Sequence, residues 1–324
     1  MLSIIDFTVA FPGLEQRIED AATELALSPI ELKMFRRFYG FERFSLDHNQ
    51  PLFDLINTAL GALVSRQPSL QRHLQVLAHC HTLPSVAPFG KEVVRLLRER
   101  YFDHRTEIMS VTMNQCATGI SILGFMDDFL SCEQRGVILI GEKAFHRTIR
   151  LIENTTIMGE AATAMLIGHG VGILEYIGGH TSHEGGSSVI SGHPDSGQPV
   201  GFGRNYFDFM VRHIKEALSK QGFDIDDVRH IFPHNVNIPS WHQIVNMLSI
   251  PRERVHTQNV HQHGHCFGAD PFINLLDALG TGHLMVGDTV LLISAGLGAT
   301  VSTALVRVSS AEIPSVRRPE LGMA

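Results

Sequence analysis

The chain's 324 residues are enough for two core-sized units or one large domain, and 44% hydrophobic with 18% charged residues is globular composition, neither disordered nor fibrous. A formal net charge of −7 lacks the basic footprint that nucleic-acid binding needs. Four irregularly spaced cysteines suggest a reducing compartment, no apolar run nears a membrane span, and the start Met-Leu-Ser-Ile-Ile-Asp lacks a basic leader region, so a cytoplasmic protein without nucleic-acid or membrane partners is expected.

Ile4–Val9 reads as a first strand. Residues 14–38 read as a helix in two pieces, the second opened by Ser28-Pro29, a serine cap with proline in the first turn. Helix 51–66 buries Leu52, Leu55, Ile56, Ala59, Leu60 and Leu63. Leu74–Cys80 is a strand, Pro84 and Pro88 punctuate a loop, and helix Lys91–Arg100 leads into strand Glu107–Thr112. Beyond Met113–Gly119, Ile120, Leu123, Met126 and Phe129-Leu130 recur at helical spacing. Gly136–Gly141 is an apolar strand and Gly159–Ile167 a turn and strand. Gly178–Gly203, rich in Gly, Ser, His and Pro, reads as a join, a loop over the site, or a disordered excursion.

The second half repeats the order. Residues 206–220 are helical, Val228–His234 is a strand, Ser240–Leu248 a helix and Arg254–Asn259 a strand. Gly264–Asp270 opens a helix through Leu279, and strands Thr289–Ser294 and Gly298–Val306 close the pattern. Val76–His81 corresponds to Ile231–Val236, the Cys116 junction to the His265 junction, and Val137–Gly141 to Val290–Ala295. Such self-similarity implies two duplicated α/β halves, 1–170 carrying a cysteine and 171–324 carrying two histidines. Alternating elements imply mostly parallel sheets covered by helices.

Cys116 sits where a strand gives way to a helix, beside unpaired backbone N–H groups and the positive end of the helix dipole. That setting favours thiolate and makes a nucleophile; the alternative is a small cysteine packed in the core. Open α/β sheets put their sites at the carboxyl ends of strands, so the two halves would bring Cys116 toward His234 and His265. One cysteine and two histidines can attack a thioester, hold an acyl-enzyme and move protons. Two imidazole N–H donors could also stabilise an enolate oxygen. The oxyanion needs donors, for which the backbone N–H groups of Cys116 and of the Gly296-Leu297-Gly298 turn, Gly298 included, are candidates. His256, His261, His263 and His265 with Cys266 suggest a metal, yet no recognised ligand spacing accompanies them, so neither metal nor cofactor is expected. His261 and His263 read as loop or packing residues, Cys80 and Cys266 as core fillers, and Cys132 as incidental. For His234 the plain alternative is a satisfied polar residue at a strand end.

These pieces together resemble the thiolase superfamily, specifically the 3-oxoacyl-ACP synthase III group, over roughly residues 1–308. Pro233-His234-Asn235-Val236-Asn237 is similar to its P-H-Q-A-N, His263-Gly264-His265 to its G-N-T, and Gly296–Thr300 to its glycine-rich oxyanion turn. The resemblance implies a five-layered αβαβα homodimer working through a cysteine acyl-enzyme, with Asn237 positioning substrate. His79–Ser85 resembles the loop that floors the partner's acyl pocket, with Leu83 at its tip. His265 stands where that group has asparagine, giving the Cys-His-His set of the elongating synthases. The tryptophan of coenzyme A–using members is missing near Met34–Arg43, and their arginine after P-H-Q-A-N falls on Pro239. The expected function is a condensing enzyme of specialised metabolism, joining an acyl group from an acyl carrier protein or coenzyme A thioester to a malonyl-type thioester. The alternatives are a non-decarboxylating acyltransferase to an amine or hydroxyl, and a catalytically silent subunit of a heterodimer.

Overall fold

A computed structural model describes residues 1–83, 92–112, 114–184, 200–296, 299–310 and 314–317. The strands of its main sheet are β1 (Leu2–Ala10), β2 (Val76–Cys80), β3 (Glu107–Val111), β4 (Arg135–Gly141), β5 (Ala162–His169), β6 (Leu174–His183), β7 (His230–Pro233), β8 (Thr289–Gly296), β9 (Thr300–Val308) and β10 (Ser315–Arg317). They lie in the order β7-β8-β9-β6-β1-β5-β4-β2-β3, with β10 paired to β1. The principal helices are α1 (Leu52–Arg66), α2 (Val93–Tyr101), α3 (Thr118–Phe129), α4 (Val200–Lys220), α5 (Ile238–Leu248) and α6 (Asp270–Gly280).

The duplication is visible in the pairing. Outward from β1 run β5, β4, β2 and β3; outward from β6 run β9, β8 and β7, then a lone parallel bridge from Ile231 to Val255. The halves meet where β1 and β6 pair antiparallel at Ser3–Glu175 and Ile4–Leu174. Leu2, Phe7, Ile138, Leu292 and Val306, from both halves, share one core with Leu123 and Met126 of α3 and Phe272 and Leu275 of α6. A second core packs α1 and α2 on the outer face of the first half, and a third packs α4 and α5 outside the second. The layers are therefore αβαβα, with α3 and α6 enclosed between the two sheet halves. Covered on both faces, Val76–Cys80 is buried at every position and is apolar but for His79, whose ring pairs with the Gly141 carbonyl.

Several expectations are corrected. The sheet is mixed: β4–β2–β3 and β7–β8 are parallel, whereas β4–β5, β5–β1, β1–β6, β6–β9 and β9–β8 pair antiparallel, the last because the β8–β9 connection is too short for a crossover. The first part of Gly178–Gly203 is strand β6, and its last part opens α4; residues 185–199 lie outside the described residues. Arg254–Asn259 forms only a helical turn and the Val255 bridge. Residues 14–38 begin with a short strand, Glu15–Arg17, although Ser28 caps helix Pro29–Met34 as expected, with a reciprocal Glu31 bond. Among the described residues no helix is long and apolar enough to cross a membrane.

Candidate active site

Three sequence-distant segments meet on the enclosed helical layer. Cys116 lies in a helical turn, Gln115–Ala117, that runs directly into α3, and it is 8% exposed. Gln115 has φ of 55°, a left-handed conformation uncommon for a side chain other than glycine. The sharp bend it makes between β3 and α3 sets the cysteine at the helix entrance. The second half has its own version, with Phe267 at φ 52° opening the turn Phe267–Ala269 that leads into α6. A Cβ on Gly268 would come within 3.0 Å of the Cys116 carbonyl, so the two turns pack backbone to backbone. Ser294 of β8 donates to that same carbonyl at 3.0 Å.

His265 is clamped by its own backbone. Its N–H donates to Ile157 at 2.9 Å, and its carbonyl accepts from Gly159 at 2.9 Å. Its ring donates Nδ1–H to the fully buried Asp270 carboxylate, at the first position of α6. The Cys116 sulfur lies close enough to the imidazole to act on its charge. Burial works against a charge on His265, but the Asp270 carboxylate and the Cys116 sulfur outweigh it and hold the ring up at about 10. Asp270 also accepts from the backbone amides of Asn235 at 2.6 Å and Cys266 at 2.7 Å.

His234 follows the last residue of β7, and its ring centroid is 5.9 Å from that of His265. Its backbone N–H donates to Ile293, its carbonyl accepts from the Trp241 indole at 3.0 Å, and the Trp241 ring meets the imidazole edge-on. Burial and the neighbouring His265 push its ring down to about 3, so it is neutral near pH 7. Nε2 lies 3.3 Å from the Tyr206 hydroxyl, and Nδ1 has no partner among the described residues.

Asn237 caps α5, accepting from Ser240 at 2.9 Å and donating to the Thr155 carbonyl at 3.1 Å, so both ends of its amide engage protein groups. Leu83 is held through its backbone: its N–H donates to Glu142 and its carbonyl accepts from His81, each at 2.5 Å. Gly298 and Pro84-Ser85 lie outside the described residues. His263 stacks on Phe11, and burial pushes the Cys80 and Cys266 thiols up, as suits packing residues; Cys132 is exposed. No group of three or more potential metal ligands occurs among the described residues. Sequence reasoning passed over Asp270, Glu142, Tyr206 and Ser294. Asp270-Pro271 looks like an ordinary helix start, and nothing in its spacing marks it as the partner of His265.

A cysteine sulfur, an imidazolium and a carboxylate thus stand in a row, with a second, neutral imidazole next to them. Residues 218–308 match the family model "3-Oxoacyl-[acyl-carrier-protein (ACP)] synthase III C terminal". The beta-ketoacyl-[acyl-carrier-protein] synthase III of Clostridium perfringens is 34% identical over 110 residues, 33% of this chain and 34% of that protein. That of Staphylococcus haemolyticus is 27% identical over 212 residues, 60% of this chain and 66% of that protein. These alignments thus span one third to just under two thirds of the relatives' own lengths. The fold is matched over nearly the whole chain. The acyltransferase ChlB3 superposes with a TM-score of 0.84 at 16% identity, over 96% of this chain and 98% of that one. The 3-oxoacyl-[acyl-carrier-protein] synthase III of Aquifex aeolicus superposes with 0.77 at 18% identity, over 95% and 100%. Over residues 218–308 the chain is thus similar to the 3-oxoacyl-ACP synthase III proteins, and nearly all of it has the fold of ChlB3 and of the Aquifex aeolicus synthase III.

Proposed function

We propose that the protein takes an acyl group from an acyl carrier protein or coenzyme A thioester onto Cys116 and joins it to a malonyl-type thioester. The observation that carries this reading is the row Cys116–His265–Asp270 with His234 beside it. The Cys116 thiolate attacks the thioester carbonyl, the oxyanion is held by backbone N–H groups of Cys116 and Gly298, and the carrier thiol leaves with a proton from His265. In the second half-reaction, once His265 has regained a proton from solvent, loss of carbon dioxide leaves an enolate whose oxygen accepts N–H bonds from His234 and His265, and the carbanion attacks the acyl carbonyl and expels the Cys116 thiolate. Asn237, as cap of α5, holds the segment that carries His234.

Asp270 favours a second reading. Acylation removes the sulfur's charge, one of the influences that hold His265 protonated, and an imidazole anchored by a carboxylate then suits a general base for an amine or hydroxyl acceptor. Incubation with carboxyl-labelled malonyl thioester separates the two: product without release of labelled carbon dioxide leaves only the second. Both readings require a stoichiometric acyl adduct on Cys116 by intact mass spectrometry, absent in Cys116→Ala. An unmodified chain after a panel of acyl thioesters would point instead to a silent subunit. The reading includes a homodimer, supported by β3, a sheet-edge strand with half-buried Ile108, Met109 and Val111; sedimentation of the purified chain tests it.

A further inference from the structure

Glu142 follows the last residue of β4 and is 2% exposed. One carboxylate oxygen accepts the Thr82 N–H at 2.7 Å and the other the Leu83 N–H at 2.5 Å. Two successive amides need two acceptors on one group, which a carboxylate supplies and an amide side chain does not. The turn is tied on its other sides too: Thr112 Oγ1 donates to the Thr82 carbonyl, and the His81 ring bridges the Leu83 carbonyl and the Ser110 hydroxyl. At the centre of this clasp the Thr82 hydroxyl donates to the Cys116 sulfur at 3.6 Å. Glu142, Thr82, His81, Gln115 and Phe267 line one small pocket against the cysteine turn.

We infer that Glu142 is a positioning residue for the Cys116 nucleophile, its carboxylate fixing the Thr82–Leu83 turn so that the Thr82 hydroxyl bears on the sulfur. The inference rests on the reading of Cys116 as nucleophile. A hydrogen bond to sulfur favours thiolate over thiol, so the geometry of this turn bears on reactivity. A fold needing only a strand end here would not bury a carboxylate, and among the described residues no cation offsets it; the adjacent Lys143 pairs with Glu160. Burial raises Glu142 to about 7 against the two amide bonds and the Thr82 side-chain contact that lower it, so the Thr82 hydroxyl lies between the carboxylate and the sulfur. The clasp is therefore fully formed above that value and loosens as the carboxylate takes up a proton below it. The other titratable groups lining the same pocket are Cys80 and His81, at the end of β2.

The test is the rate at which iodoacetamide alkylates Cys116 in the full chain, read by peptide mass spectrometry, with the exposed Cys132 as internal reference. Glu142→Gln should slow Cys116 about fivefold or more, the loss expected for about one hydrogen bond, and leave Cys132 unchanged. Wild type should gain rate on passing pH 7, a step that the variant lacks. Thr82→Val, which keeps the carboxylate and its two amide bonds, should slow Cys116 likewise, and the double variant no further. Alkylation of Glu142→Gln at the wild-type rate across that pH range overturns the inference, as does an unaffected Thr82→Val, which decides alone where Glu142→Gln fails to unfold cooperatively. Slowed alkylation without any acyl adduct from thioesters would remove the acyl-enzyme reading and leave the positioning role standing.

Discussion

Replacing Asp270 by asparagine should uncouple His265 from its charge. The side chains match in size, but an amide has one acceptor oxygen where the carboxylate now receives the His265 ring and the Asn235 and Cys266 amides. Holding an imidazole at about 10 rather than 6.5 corresponds to about 4–5 kcal/mol in favour of the charged ring, supplied against burial by Asp270 and Cys116. Without the carboxylate, burial prevails, His265 is neutral at pH 7, and the sulfur loses its countercharge. A charge-assisted bond of about 1.5–3 kcal/mol sets the loss of Cys116 alkylation rate at roughly 10- to 100-fold. The raised ring stabilises the fold fully below about 6.5, and that contribution is lost as pH rises through about 10. Asp270→Asn should therefore be less stable at neutral pH, by about 3 kcal/mol for a broken buried pair, and should lose little more on going alkaline. Alkylation–pH profiles and urea unfolding of both proteins measure these effects. A folded Asp270→Asn variant with the wild-type alkylation profile would refute the assignment of the His265 charge to Asp270.

His234→Ala should leave acyl loading of Cys116 nearly intact and lower turnover by about 10²–10³-fold, since a neutral imidazole donates a proton or hydrogen bond but carries no charge to the thiolate. Equal loss in single-turnover loading and steady-state turnover would contradict this. Acid should destabilise the fold through two other histidines: burial lowers His79 to about 4 and His213 to about 3, so the unfolded chain binds protons that the folded one refuses. Their stability is complete above about 6.5 and declines as pH falls toward those values, by about 2 kcal/mol each at pH 5. Urea midpoints across that range check it, and His213→Gln, set between Ser182 and Thr303, should flatten the slope. Gly159→Ala should lower Tm markedly, by about 3 kcal/mol of stability, because its Cβ would fall 1.9 Å from the His263 carbonyl and push on the strand that clamps His265.

The elements easiest to read were those whose burial repeats locally. Leu55, Ile56, Ala59, Leu60 and Leu63 mark one face of α1 whatever lies beyond it, and all are fully buried. Strand β6 was hard to read because its Gly178-Gly179-His180 has no alternation; pairing with β1 and β9, not composition, makes it a strand. Cys116 was legible because a strand-to-helix junction is a local event. His234 was legible beside the motif around it, and His265 through its place in the duplicate.

Hydrophobic period, turn chemistry and internal repetition act over a few residues, so the order of strands and helices, the two similar halves and the cysteine at a helix entrance follow from the amino acids alone. Strand direction, the seam between β1 and β6, and the partners Asp270, Tyr206, Ser294 and Glu142 follow only from tertiary structure. Asp270 is five residues from His265, yet Ser294 is 178 from Cys116, and Glu142 is 60 from Thr82. Charge stabilisation and hydrogen bonding depend on distance through space and on exclusion of water, neither of which a linear pattern encodes.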